Sequence, residues 1–230
     1  MQLRDGRTRD EVVDHVLALA AADGDLVVGF DFSFSLPAWF LHEQGYRTVD
    51  DLWEAAARTG EHWLHDVRPP FWGRPGHPRP VVPADLRVTE SLVPPTRGIR
   101  PKSTFQVGGA GSVGTGAIRG FPYLARLRAG GVAIWPFDAS RLPVAVEVWP
   151  RLCTGPVVKS DAGARAALLD VRYPDLRPEF RAAAVASDDA FDAAVTALVM
   201  AAHADELAAL AAPEHPAARL EGWIWSPPDG

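Results

Sequence analysis

One cysteine, Cys153, stands alone in 230 residues, so no intrachain disulfide can form. A packed core in a reducing compartment is expected instead. Long apolar runs are missing as well. The longest, such as Val195 to Ala202, falls short of a bilayer span and has charges close by, which argues against a transmembrane helix. The opening residues lack a secretory apolar region, since Met1 is followed by Arg4, Asp5, Arg7, Arg9 and Asp10. A basic excess is absent too: the net charge is -6. Proteins that hold long nucleic-acid tracts usually carry the opposite sign, because neutralising phosphates supplies much of their affinity. Any contact with nucleic acid is therefore expected to be weak or local, through a basic strip or bound divalent cations. No internal repeat is visible. These absences leave a cytoplasmic protein without a membrane partner. At 47% hydrophobic, it is long enough to form one domain over residues 1–230. Oligomeric state is left open.

What is present reads as interleaved helices and strands, hence an α/β class. Helical spacing marks Arg9 to Ala22, Val49 to Leu64, Ala117 to Arg128, Ala162 to Leu169 and, longest of all, Ser187 to Leu210. Strands are expected over Leu26 to Phe34, Val132 to Pro136 and Val144 to Trp149, the last two as a hairpin across Phe137 to Pro143. Gly222 to Ser226 is a short Trp-rich segment. Between about 66 and 103 the periodicity fails and prolines cluster, from Pro69 to Pro95. This stretch is expected to be an insertion covering one end of the domain.

Three places combine acids with apolar surroundings. In an extended Leu26–Leu36, Asp31, Ser33 and Ser35 share one face, and Phe30, Phe32 and Phe34 the other. An acid ending a hydrophobic strand is where open α/β sheets place binding groups; a loop or helix cap is the equally weighted alternative. In the late helix, Ser187 is a natural N-cap and Asp188 suits the dipole. Asp189, Asp192 and Thr196 lie along one face, and two carboxylates a turn apart repel unless a cation or donors compensate. Glu147, inside the β-branched run Val144–Val148, needs a partner or an edge position.

The segments Val28 to Pro37, Val146-Glu147-Val148-Trp149-Pro150 and Asp189 to Ala194 together resemble the RNase H-like superfamily, which includes ribonuclease H and RuvC-type resolvases. More closely, they resemble an uncharacterised bacterial family of predicted RNase H-like nucleases. The resemblance spans most of Val28 to Ala202. It implies a mixed sheet flanked by helices, and Mg²⁺ or Mn²⁺ held by acids for phosphodiester hydrolysis. Asp31 would match the fourth-strand acid and Asp189 or Asp192 the acid of the final helix; Glu147 falls within the next strand's motif. The family fold opens with three antiparallel strands, the first carrying its principal aspartate. Here a helix comes first, and Asp5 sits in a strandless stretch. The resemblance therefore implies either a start upstream of Met1 or a form that has lost those strands and their acid.

A glycine-rich run, Gly108 to Gly116, contains G-x-G-x-x-G, with Asp138 downstream. A dinucleotide site would use such a loop at a helix N-terminus, but the preceding strand, Thr104 to Val107, is short. As a loop-to-helix turn it could bring Gly111, Arg100, Lys102 and Arg119 to phosphates; close packing of glycine is the plainer reading. His62 and His65 lie on one helix face without a third ligand. Three functions follow as expectations: a metal-dependent nuclease or phosphodiesterase using Asp31, Glu147, Asp189 and Asp192; a non-catalytic RNase H-like binding module; and a nucleotide-binding enzyme using the glycine loop.

Overall fold

The computed structural model describes residues 2–228. Thr8 and Glu11 form a capping box that opens α1 (Arg9–Ala22). β1 (Val27–Phe30), α2 (Ala38–Glu43) and α3 (Val49–Asp66) follow, then α4 (Val88–Leu92) within the proline-rich stretch. Next come α5 (Gly114–Ala129), β2 (Ala133–Ile134), β3 (Val144–Val148) and α6 (Pro150–Thr154). α7 (Ala162–Arg172), α8 (Pro178–Val185), α9 (Asp188–Ala202), α10 (Ala204–Ala208), α11 (Ala218–Glu221) and β4 (Ile224–Trp225) complete the order.

The sheet is small, and its pairings are all parallel among the described residues. β3 is its centre. β1 pairs with it on one side, from Val27 opposite Val144 to Phe30 opposite Glu147. β2 pairs with its first half and β4 with its second on the other side. Helices cover both faces, which explains why β3 is buried at every position and reads as an almost unbroken apolar run. On one face, Val28, Phe30, Ile134 and Ala145 pack with α1, α3 and α5. On the other, Val27, Ala133, Val144, Val146 and Val148 meet residues of α6 to α10. Each fully buried Leu or Phe in these layers, such as Leu52, Phe121 or Phe191, contributes about 2 kcal/mol.

Several expectations change. The mixed sheet is replaced by a parallel one, and the hairpin of β2 and β3 is a parallel pair. After Ile134 the chain turns: the amides of Phe137 and Asp138 donate to the Ile134 carbonyl at 2.9 and 3.0 Å. The Asp138 carboxylate accepts from the Ile134 N–H at 2.8 Å. The segment then runs back so that Val144 starts beside Ala133. Apolar alternation encodes which face is buried and not the direction of the partner. The strand expected over Leu26 to Phe34 stops at Phe30, and Ser33 and Ser35 turn inward and are buried. Ser35 Oγ donates to the Leu220 carbonyl at 2.6 Å. Ser187 to Leu210 is two helices, broken at His203.

The proline-rich stretch is anchored by one residue. Arg87 is fully buried, and all five of its guanidinium N–H groups are used. Nε and Nη2 donate to Glu90 at 2.9 and 2.7 Å. Nη1 reaches Glu147 Oε2 at 2.9 Å and the Glu221 carbonyl at 2.7 Å, and Nη2 also pairs with Glu147 Oε1. Burial weighs against the charge on Arg87, but the Glu147 and Glu90 carboxylates outweigh it and hold the guanidinium pKa above its ordinary value. Glu221 in turn accepts from the Ala38 and Val88 amides, each at 2.7 Å, joining the starts of α2 and α4. No helix of the described residues is long and apolar enough to cross a membrane.

Candidate functional site

Side-chain alternation decides which acids meet. Along β1, Val28 and Phe30 face α1, α3 and α5, so Gly29 and the next residue, Asp31, face α9. A Cβ at Gly29 would stand 2.7 Å from Met200 Sδ and 3.1 Å from Val148 Cγ1. Glycine here lets α9 lie directly against the sheet. That approach carries Asp189 and Asp192 to the carboxyl end of β1, where Asp31 waits. The three aspartates line one cleft of about 870 Å³ between α1, β1 and α9, together with Thr196, Val148 and Pro150.

Acids outnumber bases in the cleft: Asp25, Asp31, Asp189 and Asp192 line it with His15, and Lys159 and Arg151 act on Asp192 from its margin. Asp31 is exposed to the cleft, yet the surrounding walls crowd its carboxyl. That crowding, reinforced by Asp192 and only partly offset by Lys159, pushes Asp31 up to about 6. Burial raises Asp192 as well, against the pull of a direct hydrogen bond from Lys159. Lys159 Nζ is paired with Asp192 Oδ2 alone, leaving Asp192 Oδ1 buried without a partner. Thr196 is 5% exposed, and its Oγ1 makes no well-formed hydrogen bond. The carboxylates of Asp31, Asp189 and Asp192, with Asp192 Oδ1 unpartnered among the described residues, are hard oxygen donors of the kind that hold Mg²⁺ or Mn²⁺, whereas Thr196 also lies against the Cys153 thiol. Among the described residues, no three acids, histidines or cysteines are drawn together closely enough to form a finished cation site.

The other expected site residues lie elsewhere. Glu147 does not line the cleft; besides Arg87 it accepts from the Phe34 amide at 2.9 Å, holding the turn that follows Asp31. Strand register put Glu147 opposite Phe30, one position and one face away from Asp31. Arg119 is engaged by Glu61 through two hydrogen bonds of 2.7 and 2.9 Å. Lys102 Nζ donates to the Ala110 carbonyl at 2.8 Å and lies over Gly111. Arg100 is exposed, and neither it nor Lys102, Gly111 or Arg119 lines the acidic cleft. The glycine run does not issue from a strand of the sheet. It packs on another backbone, where a Cβ at Gly108 would meet the Gly73 carbonyl at 2.6 Å. Asp138 is bound to Ile134 and to Arg128 Nε at 3.0 Å. His62 and His65 lie on an exposed helix face.

Sequence reasoning missed Lys159, Arg87 and Glu90. A signal existed for the first: it is one of two lysines in a chain that otherwise uses arginine. Arg87 and Glu90 were hidden among exposed-looking prolines. Comparison with protein-family models, curated proteins and solved structures gives no match.

Proposed function

We propose that the chain is a metal-dependent phosphodiesterase of the RNase H-like kind, acting at the cleft of Asp31, Asp189 and Asp192. The observation that supports this most is the charge imbalance there: Asp25, Asp31, Asp189 and Asp192 line one cleft, Lys159 is bonded to Asp192 Oδ2 alone, and Asp192 Oδ1 is buried without a partner among the described residues. Asp31, Asp189 and Asp192 are the residues that would hold Mg²⁺ or Mn²⁺. When bound, such an ion supplies an activated water and a counter-charge for phosphoryl oxygens. Asp31 offers an accessible carboxylate on the rigid end of a strand, and Lys159 fixes the orientation of Asp192. Glu147 acts at a distance, by holding the backbone after Asp31. A nucleic-acid substrate would be held locally at this cleft.

The test is Mn²⁺ titration by calorimetry, alongside hydrolysis of bis(p-nitrophenyl) phosphate. Saturable binding that is lost in Asp31→Asn and in Asp192→Asn is the expected result; unchanged binding in both variants removes the reading. The Lys159–Asp192 pair favours a second reading, a non-catalytic RNase H-like module in which lysine takes the place of a cation. In that case Lys159→Met destabilises the protein, and Mn²⁺ at millimolar concentration leaves its melting temperature unchanged.

A further inference from the structure

The same cleft has a second component besides its acids. Among the described residues β1 pairs with β3 alone, so one edge of the sheet has no strand partner; Gln2 lines the same cleft and Leu3 packs on the apolar layer beside it without bonding to that edge. The Val144 amide donates to the Leu26 carbonyl at 3.0 Å, which sets the alternation of the ladder. Leu26, Val28 and Phe30 bond toward β3, while the N–H and C=O groups of Val27 and Gly29 point outward. No backbone or side-chain group of the described residues satisfies them outside the ladder. Strand residues Val27 to Phe30 are only half-buried, unlike β3. Natural sheets usually blunt such an edge with a charge, a proline or a bulge, and Val27-Val28-Gly29-Phe30 has none of these.

The edge is recessed. α1 contributes His15, Val16 and Leu19 to one wall, and α9 contributes Ala193, Ala197 and Ala201 to the other. A second copy's β1 would be flanked by the same two helical walls, which opposes a direct strand-to-strand approach of two copies. A single extended segment fits. Small side chains on the α9 wall admit a backbone, and Asp25 at one end with Asp31 and Asp189 at the other favours a basic strand.

We propose that the open edge of β1 is a docking groove for one extended, basic polypeptide strand, which adds to the sheet through the main-chain groups of Val27 and Gly29. Docking requires no metal at the acids, although Asp31 and Asp189 serve both readings, so the test is made without metal. The probe is a labelled hexapeptide of alternating valine and threonine with lysine at both ends, added to the whole protein in chelator. Saturable binding is expected. Methylating alternate peptide amides should weaken it at least tenfold, and glutamate in place of lysine should do the same. Val27→Pro, which removes an outward N–H and leaves the β3 ladder intact, should also weaken it, with the far-ultraviolet spectrum unchanged. In hydrogen exchange, the Val27 and Gly29 amides should be fast in the free protein and slow with peptide. Equal binding of the methylated peptide, or slow exchange of both amides in the free protein, would overturn the proposal. So would concentration-dependent dimerisation that protects the same amides, since the occupant would then be a second copy.

Discussion

At the scale of single residues, the cleft acids carry a cost that a proton or a cation relieves. Asp31 is held at about 6 by crowding and by Asp192, against an ordinary value of 3.8. Between roughly pH 4 and pH 6 the folded protein therefore binds more protons at this position than the unfolded chain. Stability from this group is greatest below pH 4 and is lost as pH rises through 6. Asp31→Asn should then melt higher than wild type at pH 7.5 in chelator, by roughly 2–4 °C after allowing for solvent screening at the exposed face. The advantage should fade toward pH 4. A loss of stability at pH 7.5 would mean that Asp31 makes a favourable contact as an anion, and the account of an undercompensated cleft would fail. Of these residues, Asp31, Asp189 and Asp192 were legible in the sequence because acids among Phe, Val and Ala need compensation. The shift at Asp31 was not, because it depends on α9 lying across the sheet.

At the scale of elements, the five longest helices were legible in outline, since 3.6-residue spacing and the Ser187 cap are local properties, whereas the short helices α2, α4, α6, α8 and α11 were not, and the run from Ser187 to Leu210 overran the break at His203. Strand direction was not local. The β2–β3 connection looked like a hairpin because it is short, and it became parallel through the turn that Asp138 pins. Ser33 and Ser35 were misplaced for a related reason: β1 stops at Phe30, and the Glu147 carboxylate captures the Phe34 amide to start the next turn. The contact of α9 with β1 rests on the missing side chain of Gly29. Gly29→Ala should cost about 1–3 kcal/mol through overpacking against Met200. Met200→Ala alone leaves a void, but in the double variant the new methyl occupies part of it. The two effects should therefore sum to less than their separate costs by at least about 0.5 kcal/mol. Urea unfolding of the four proteins measures this. Strict additivity would mean that α9 shifts as a body, and Mn²⁺ affinity should then fall in Gly29→Ala, because Asp192 moves with the helix.

At the scale of the whole molecule, two apolar layers share one sheet, and the proline-rich stretch is tied to both the sheet and the C-terminal segment. Arg87 makes that tie, together with Glu90 and Glu147. A lid that merely covers one end would open without consequence for the core. A stretch that places a buried guanidinium against a central-strand carboxylate would not, because opening it strands Glu147 in an apolar layer. Arg87→Met should therefore destabilise the entire domain by about 3–5 kcal/mol. Arg87→Lys should recover little, since an ammonium cannot reproduce the five-donor fork. Tryptophan fluorescence and far-ultraviolet ellipticity should report the same urea midpoint in each variant, shifted together to lower concentration. The alternative has a distinct signature: faster proteolytic cleavage around the fully exposed Val81 with an unchanged global midpoint. That result would separate the stretch from the folding unit and leave Glu147 compensated from elsewhere. Coincident, shifted transitions would make the proline-rich stretch part of the core, with the backbone that presents Asp31 dependent on it through Glu147 and Phe34.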